Sequence, residues 1–128
     1  VLKEGAHIGH GAIIHGANLG RNCLIGMNSV IMDDAEIGDE CIVGAMAFVK
    51  GESIFSNRSL IVGNPARVIK EVTNEMMEWK TAGTKLYQQL PSDCHDSLKE
   101  VAPLREIPKN KLKQEDFHKT LAELKRNK

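Results

Sequence analysis

The amino-acid sequence predicts an all-β solenoid: a left-handed parallel β-helix of hexapeptide repeats followed by a C-terminal α-helix. Three observations carry this reading. Residues 2–54 divide into nine consecutive units, eight of six residues and one of five, and every unit opens on an aliphatic side chain. The fifth residue of each unit is small. Beyond Val72 the six-residue period gives way to a helical one, with Trp79 and Tyr87 eight apart on one face.

The units are cut as LKEGAH, IGHGA, IIHGAN, LGRNCL, IGMNSV, IMDDAE, IGDECI, VGAMAF and VKGESI. Their leading residues are Leu2, Ile8, Ile13, Leu19, Ile25, Ile31, Ile37, Val43 and Val49, and glycine follows in five of them, as a tight corner requires. Three units make one triangular coil, and coils stack like strands of a sheet. Hexapeptide coils wind left-handed, against the usual right-handed crossover preference, a property of the repeat class rather than of the periodicity. Stacking then puts Leu19 between Leu2 and Ile37, Ile25 between Ile8 and Val43, and Ile31 between Ile13 and Val49. These columns are the expected core. Cys23 and Cys41 share another column and read as small side chains filling a crowded interior.

The β-helix takes residues 1–70 and a helical extension with a tail takes 71–128. "SLIVGNPARVIKEV" is a last strand and turn, and a helix from about Thr73 to Gln89 is expected to cover the downstream end, because an unstacked coil exposes an apolar ring and a backbone edge. After Pro91, "SDCHDSLKEV" reads as a separate short helix capped by Ser92 or Asp93. A charged linker then leads to a terminal helix over 115–127. Upstream, the chain opens on Val1 within the pattern and its first coil has no cap, so further coils are expected before it.

Seventeen basic and seventeen acidic residues balance, so no field demands a nucleic acid, and no long apolar run marks a membrane span. Cys23, Cys41 and Cys94 lie at no metal-ligand spacing, and the expected compartment is the cytoplasm.

The chemistry rests on His10 and His15. In the cut above both occupy the third position of consecutive units, near successive corners of one coil. Five residues of strand span about 15 Å, and imidazole ligands must reach about 2.0 to 2.1 Å from a zinc ion. One chain cannot place both on one ion; two chains packed side by side can. The ordinary alternative is a pair of solvent-facing polar corners. A three-histidine zinc site with an open position would activate a water for attack on a carbonyl carbon. It needs a third histidine, and neither His7, nor His95, nor His118 is placed by the repeat to supply one, so that ligand is expected upstream of this chain.

"HIGHGAIIHG", "IGMNSVIMDDAEIGDECIVGAMAFVK", "LIVGNPARVIKEV" and "WKTAGTKLYQ" followed by "PLRE" together resemble the PaaY/CaiE-type branch of the γ-class carbonic anhydrase-like hexapeptide-repeat family, over residues 1 to about 106. The resemblance implies a homotrimer with Zn2+, or Fe2+ or Co2+, shared across each subunit interface. His15 would come from one chain and His10 from its neighbour, with the third histidine about two coils upstream. It implies hydrolysis of CoA thioesters, as in phenylacetate degradation, or hydration of carbon dioxide; this chain alone is expected to be inactive for want of the third ligand. Where several relatives carry a tyrosine before the "L-x-x-G-x-P" turn, this sequence has Ser59, a departure that argues against efficient anhydrase chemistry. Asn28, stacked on the His10 corner, is either near the site or simply a turn asparagine of positive φ. Two rivals remain: an acyl-CoA-dependent hexapeptide acyltransferase, which often shares the "GNPA" turn but usually carries its histidine base on a projecting loop, and a non-catalytic trimeric accessory protein.

Overall fold

The computed structural model describes residues 1–107, Glu123 and Arg126. Nine two-residue strands come first: β1 (His7–Ile8), β2 (Ile13–Ile14), β3 (Asn18–Leu19), β4 (Leu24–Ile25), β5 (Val30–Ile31), β6 (Glu36–Ile37), β7 (Ile42–Val43), β8 (Phe48–Val49) and β9 (Ile54–Phe55). Each is short because a corner follows it. The corners turn through left-handed backbone at Gly5, Gly11, Gly16, Asn22, Asn28, Asp34, Glu40, Met46, Glu52 and Arg58.

Strands stack in three parallel sheets, ordered β2-β5-β8, β3-β6-β9, and β1-β4-β7 continued by β10 (Ser59–Gly63) and β11 (Ala66–Glu71). This is the parallel β-helix that the repeat predicts. Leu19, Ile25, Ile31, Ile37, Val43 and Val49 line its interior almost wholly buried, with Cys23, Cys41, Ala35 and Ala47 between them. Both core thiols donate to main-chain carbonyls, Cys23 Sγ to Gly38 and Cys41 Sγ to Ser56.

One column differs from the sequence reading. Ile14, not Ile13, pairs with Ile31, and Ile13 pairs with Val30. Ile13 is 56% exposed while Ile14 packs against the core. The five-residue unit is therefore Ile14 to Asn18, and IGHGAI is a full unit. Gly11 follows Ile8 by three residues, as Asn28 follows Ile25, but Gly16 follows Ile14 by only two.

At the downstream end β11 folds back antiparallel on β10 through the cis Asn64–Pro65 turn and takes the backbone edge of that sheet. The expected end cap is thus a hairpin. Helix α1 (Asn74–Ser97) begins after Thr73, whose hydroxyl accepts from the Met76 amide as an N-cap. It presents Met76, Met77, Lys80 and Thr84 inward, the spacing of one helical face. Rather than closing the end of the stack, its first half runs along one corner, meeting Arg58 at Asn74, Asn22 at Thr81 and His7 at Thr84.

The expected break at Pro91 does not occur, and Ser92 and Asp93 lie inside α1 rather than capping a second helix. Proline removes one donor, but Gln89 bonds to Asp93 and Ser97 to the Asp93 carbonyl, bridging the turns that follow. One compact unit takes in Val1–Thr84, and a second begins at Lys85. Residues 98–107 carry no regular structure apart from a bend. The terminal helix read over 115–127 falls, but for Glu123 and Arg126, outside the described residues. Among the described residues no helix is long and apolar enough to cross a membrane.

Candidate metal centre

His10 and His15 stand on the two corners that flank β2. His10 lies exposed in the turn Gly9-His10-Gly11, and its carbonyl accepts from the Asn28 amide of the next coil at 2.9 Å. Asn28 is itself a left-handed corner residue, φ 54°, with its side-chain oxygen over Gly11. That is the turn role, filled by a residue type that tolerates the conformation.

His15 occupies the shortened corner. Its amide bonds to the Ile31 carbonyl at 2.9 Å, which fixes it one residue past the β2 core position. His10 is the third residue of its unit and His15 the second, so the two are not at equivalent positions as the sequence cut placed them. The adjacent isoleucines hide the difference, since either can lead a unit.

The shortened corner has a chemical result. Asp33, one coil on, places Oδ1 2.8 Å from His15 Nδ1, both side chains remaining more than half exposed. Gly16 makes this approach possible: a Cβ there would lie 2.6 Å from the same carboxylate oxygen. A carboxylate on Nδ1 holds the ring proton at that nitrogen and leaves the Nε2 lone pair to bind. The donor set therefore suits a zinc-like ion, whose histidine ligands carry such a partner. Among the described residues no three His, Cys, Asp or Glu side chains form a metal cluster.

Ser59 is buried in the coil, its hydroxyl donating to the Ser56 carbonyl at 2.8 Å. Sequence reasoning missed a second polar group altogether. Lys80 is 2% exposed and donates to the Gly5 carbonyl and to Asn22 Oδ1, and His7 Nδ1 lies 3.1 Å from Thr84 Oγ1. The available signal was the position of Lys80 four residues from both Met76 and Thr84 on the inward face. Trp79, next to it, is half-buried, and Tyr87 is largely exposed.

A family profile described as bacterial transferase hexapeptide (six repeats) matches residues 16–51. The carnitine operon protein CaiE of Escherichia coli (strain K12) is 50% identical over 111 residues, 87% of this chain and 57% of that protein. CaiE of Salmonella agona (strain SL483) is likewise 50% identical over 111 residues, 87% of this chain and 56% of its own. The chain thus spans less than two thirds of the length of the curated relatives it matches. Among solved structures, a putative acetyltransferase from Bacillus cereus superposes with a TM-score of 0.55 at 31% identity, covering 67% of this chain and 54% of that one. A galactoside acetyltransferase in complex with coenzyme A gives a TM-score of 0.54 at 21% identity, over 57% and 45% of the two chains, a likeness of fold alone.

Proposed function

Taking as premise that the chain belongs to the CaiE/PaaY-like hexapeptide-repeat family, we propose that the protein works as a homotrimeric metalloprotein. His15 of one subunit and His10 of the next are two of three histidine ligands at each interface, and a zinc, iron or cobalt ion suits them equally as imidazole donors. The reaction is attack of water on a carbonyl carbon, hydrolysing a CoA thioester or hydrating carbon dioxide.

The observation that carries this reading is the ion pair between His15 and Asp33. Asp33 orients the imidazole and holds its proton on Nδ1, and Gly16 leaves room for the carboxylate to do so. His10 stands exposed on the neighbouring corner, open to a second subunit. A bound ion supplies Lewis acidity that makes a water nucleophilic at neutral pH.

Metal content of the native-length protein tests the proposal. About one ion per chain is expected for one three-histidine site at each interface of a trimer, lost in both His10→Ala and His15→Ala. Asp33→Asn, which keeps the shape but not the charge, is expected to weaken metal affinity by about 10- to 100-fold. Absence of metal from the wild type, or full retention in either histidine variant, would sink the reading.

One observation favours a second reading, acyl transfer from an acyl-CoA: the likeness to the Bacillus cereus putative acetyltransferase at 31% identity. It requires turnover that depends on an acceptor as well as on acyl-CoA, and that survives a chelator. Acyl-CoA consumption without an acceptor, abolished by the chelator, excludes it.

A further inference from the structure

The chain has five methionines, and they are placed unevenly. Met76 and Met77 face inward on α1. The other three, Met27, Met32 and Met46, all stand on the two corners that carry His10 and His15. The strand register makes the relation close. Ile8 pairs with Ile25, so Met27 takes the place of His10 one coil further along. Ile14 pairs with Ile31, so Met32 likewise takes the place of His15. Successive coils lie about 4.8 Å apart, and each candidate ligand therefore has a methionine on the adjoining rung.

The His10 corner is apolar where the other two are charged. Its rungs, 9–12, 26–29 and 44–47, read GHGA, GMNS and GAMA and hold no Asp, Glu, Lys or Arg. The other corners carry Asp33 and Lys50, or Arg21, Asp39 and Arg58. Met27 is 55% and Met46 70% exposed, and beside them the outer strand positions are Ile13, Val30 and Phe48, paired in that order. Met46 also holds left-handed backbone, φ 61°. Every other described residue of positive φ is glycine or carries a polar side chain. A glycine or asparagine would serve that turn with less strain, so the fold alone does not account for an exposed apolar side chain there.

We propose that this corner receives the acyl group of the substrate, which is the CoA thioester of an apolar acid larger than acetate. A carbonyl carbon held at His10 stands at the head of the row His10, Met27, Met46, which runs about 10 Å along the stack. An acyl chain laid along that row exchanges water for thioether and aliphatic surface. Methionine suits this role, because an unbranched, polarisable side chain adapts to groups of different shape. Each added methylene then tightens binding by about fourfold. The inference rests on the reading of His10 above for the position of the carbonyl, but the binding of the chain requires no metal.

Non-hydrolysable S-alkyl-CoA thioethers test this on the native-length protein, in a chelator so that no metal chemistry enters. Calorimetric titration of the wild type with S-ethyl-, S-butyl- and S-hexyl-CoA is expected to show affinity rising by about fourfold per methylene. Met27→Ser and Met46→Ser are expected to flatten that rise, while size in solution and metal content after reloading stay at their wild-type values. Equal affinities across the series, no binding of S-hexyl-CoA, or the full rise retained in either variant overturns the proposal. So does dissociation of either variant into smaller species, because the corner is then a contact between subunits. Failure of the metal reading is distinct: it leaves the wild type without metal, whatever the slope of the series.

Discussion

Two neighbouring isoleucines decide how the first coil is read. Ile14 pairs with Ile31 and packs on the core, while Ile13 pairs with Val30 and faces outward. Ile14→Ala is expected to destabilise the protein by about 2 kcal/mol, the low end for a buried isoleucine. Ile13→Ala should change stability by no more than about 0.5 kcal/mol, as for an exposed site. Equal losses of thermal stability in the two variants would contradict this register. At this scale most of the interior was legible, since six leading positions from Leu19 to Val49 are buried as read. The exception has a physical cause: hydrophobicity cannot order two adjacent aliphatic residues, and the usual three-residue spacing to the left-handed corner points to Ile13, because the corner at Gly16 is the one that comes early. His10 and His15 were legible as corner residues, but Asp33 was not, because its approach to His15 depends on where the missing residue falls. Lys80 was illegible for another reason. A lysine on a helix ordinarily carries its charge into water, and only the Gly5 and Asn22 oxygens give this one a seat inside.

Corners and helix differ in how far their sequence determines them. Along the corners, successive coils come so close that some positions admit no side chain. A Cβ at Gly38 would lie 2.5 Å from the Asn57 amide nitrogen and 2.8 Å from the Ser56 carbonyl carbon, both backbone atoms. Gly38→Ala is therefore expected to destabilise by about 1 to 3 kcal/mol, as forced overpacking does. Gly51, whose added Cβ would meet only the Asp33 carbonyl oxygen at 3.1 Å, provides the comparison and should tolerate alanine better in the same thermal unfolding measurement. The start of α1 was legible because Thr73 is a capping residue in the right place. Its end was not: local preference stops a helix before proline, and here the bonds made by Gln89, Asp93 and Ser97 carry it onward. The position of α1 along the stack also escaped the sequence, because an amphipathic pattern names the face that packs but not the surface it packs on.

At the scale of the molecule, the stacked coils and the first half of α1 form one compact unit, Val1–Thr84. Residues 98–107 are exposed, with Leu98, Val101, Leu104 and Ile107 each more than three-quarters accessible. Among the described residues, brief trypsin treatment is expected to cut first at Lys99 or Arg105, leaving the coil and α1 intact by mass spectrometry; cuts at Arg21 or Arg58 before these would instead mean that the stack opens readily. The solenoid itself is nearly one-dimensional, each coil answering to its neighbours, and in such an object a single omitted residue has a long reach. Partners on the near side of the short corner are seventeen residues apart in sequence, as Leu2 and Leu19 or Ile13 and Val30; beyond it they are eighteen apart, as Asn18 and Glu36. The omission is thus a phase slip in an otherwise regular screw. Restoring the missing residue after His15 would return the first coil to the eighteen-residue pitch without disturbing any core column. It would also set a new side chain over Asp33 where Gly16 now leaves room, so the irregularity in the coil and the contact between His15 and Asp33 are the same event in the chain.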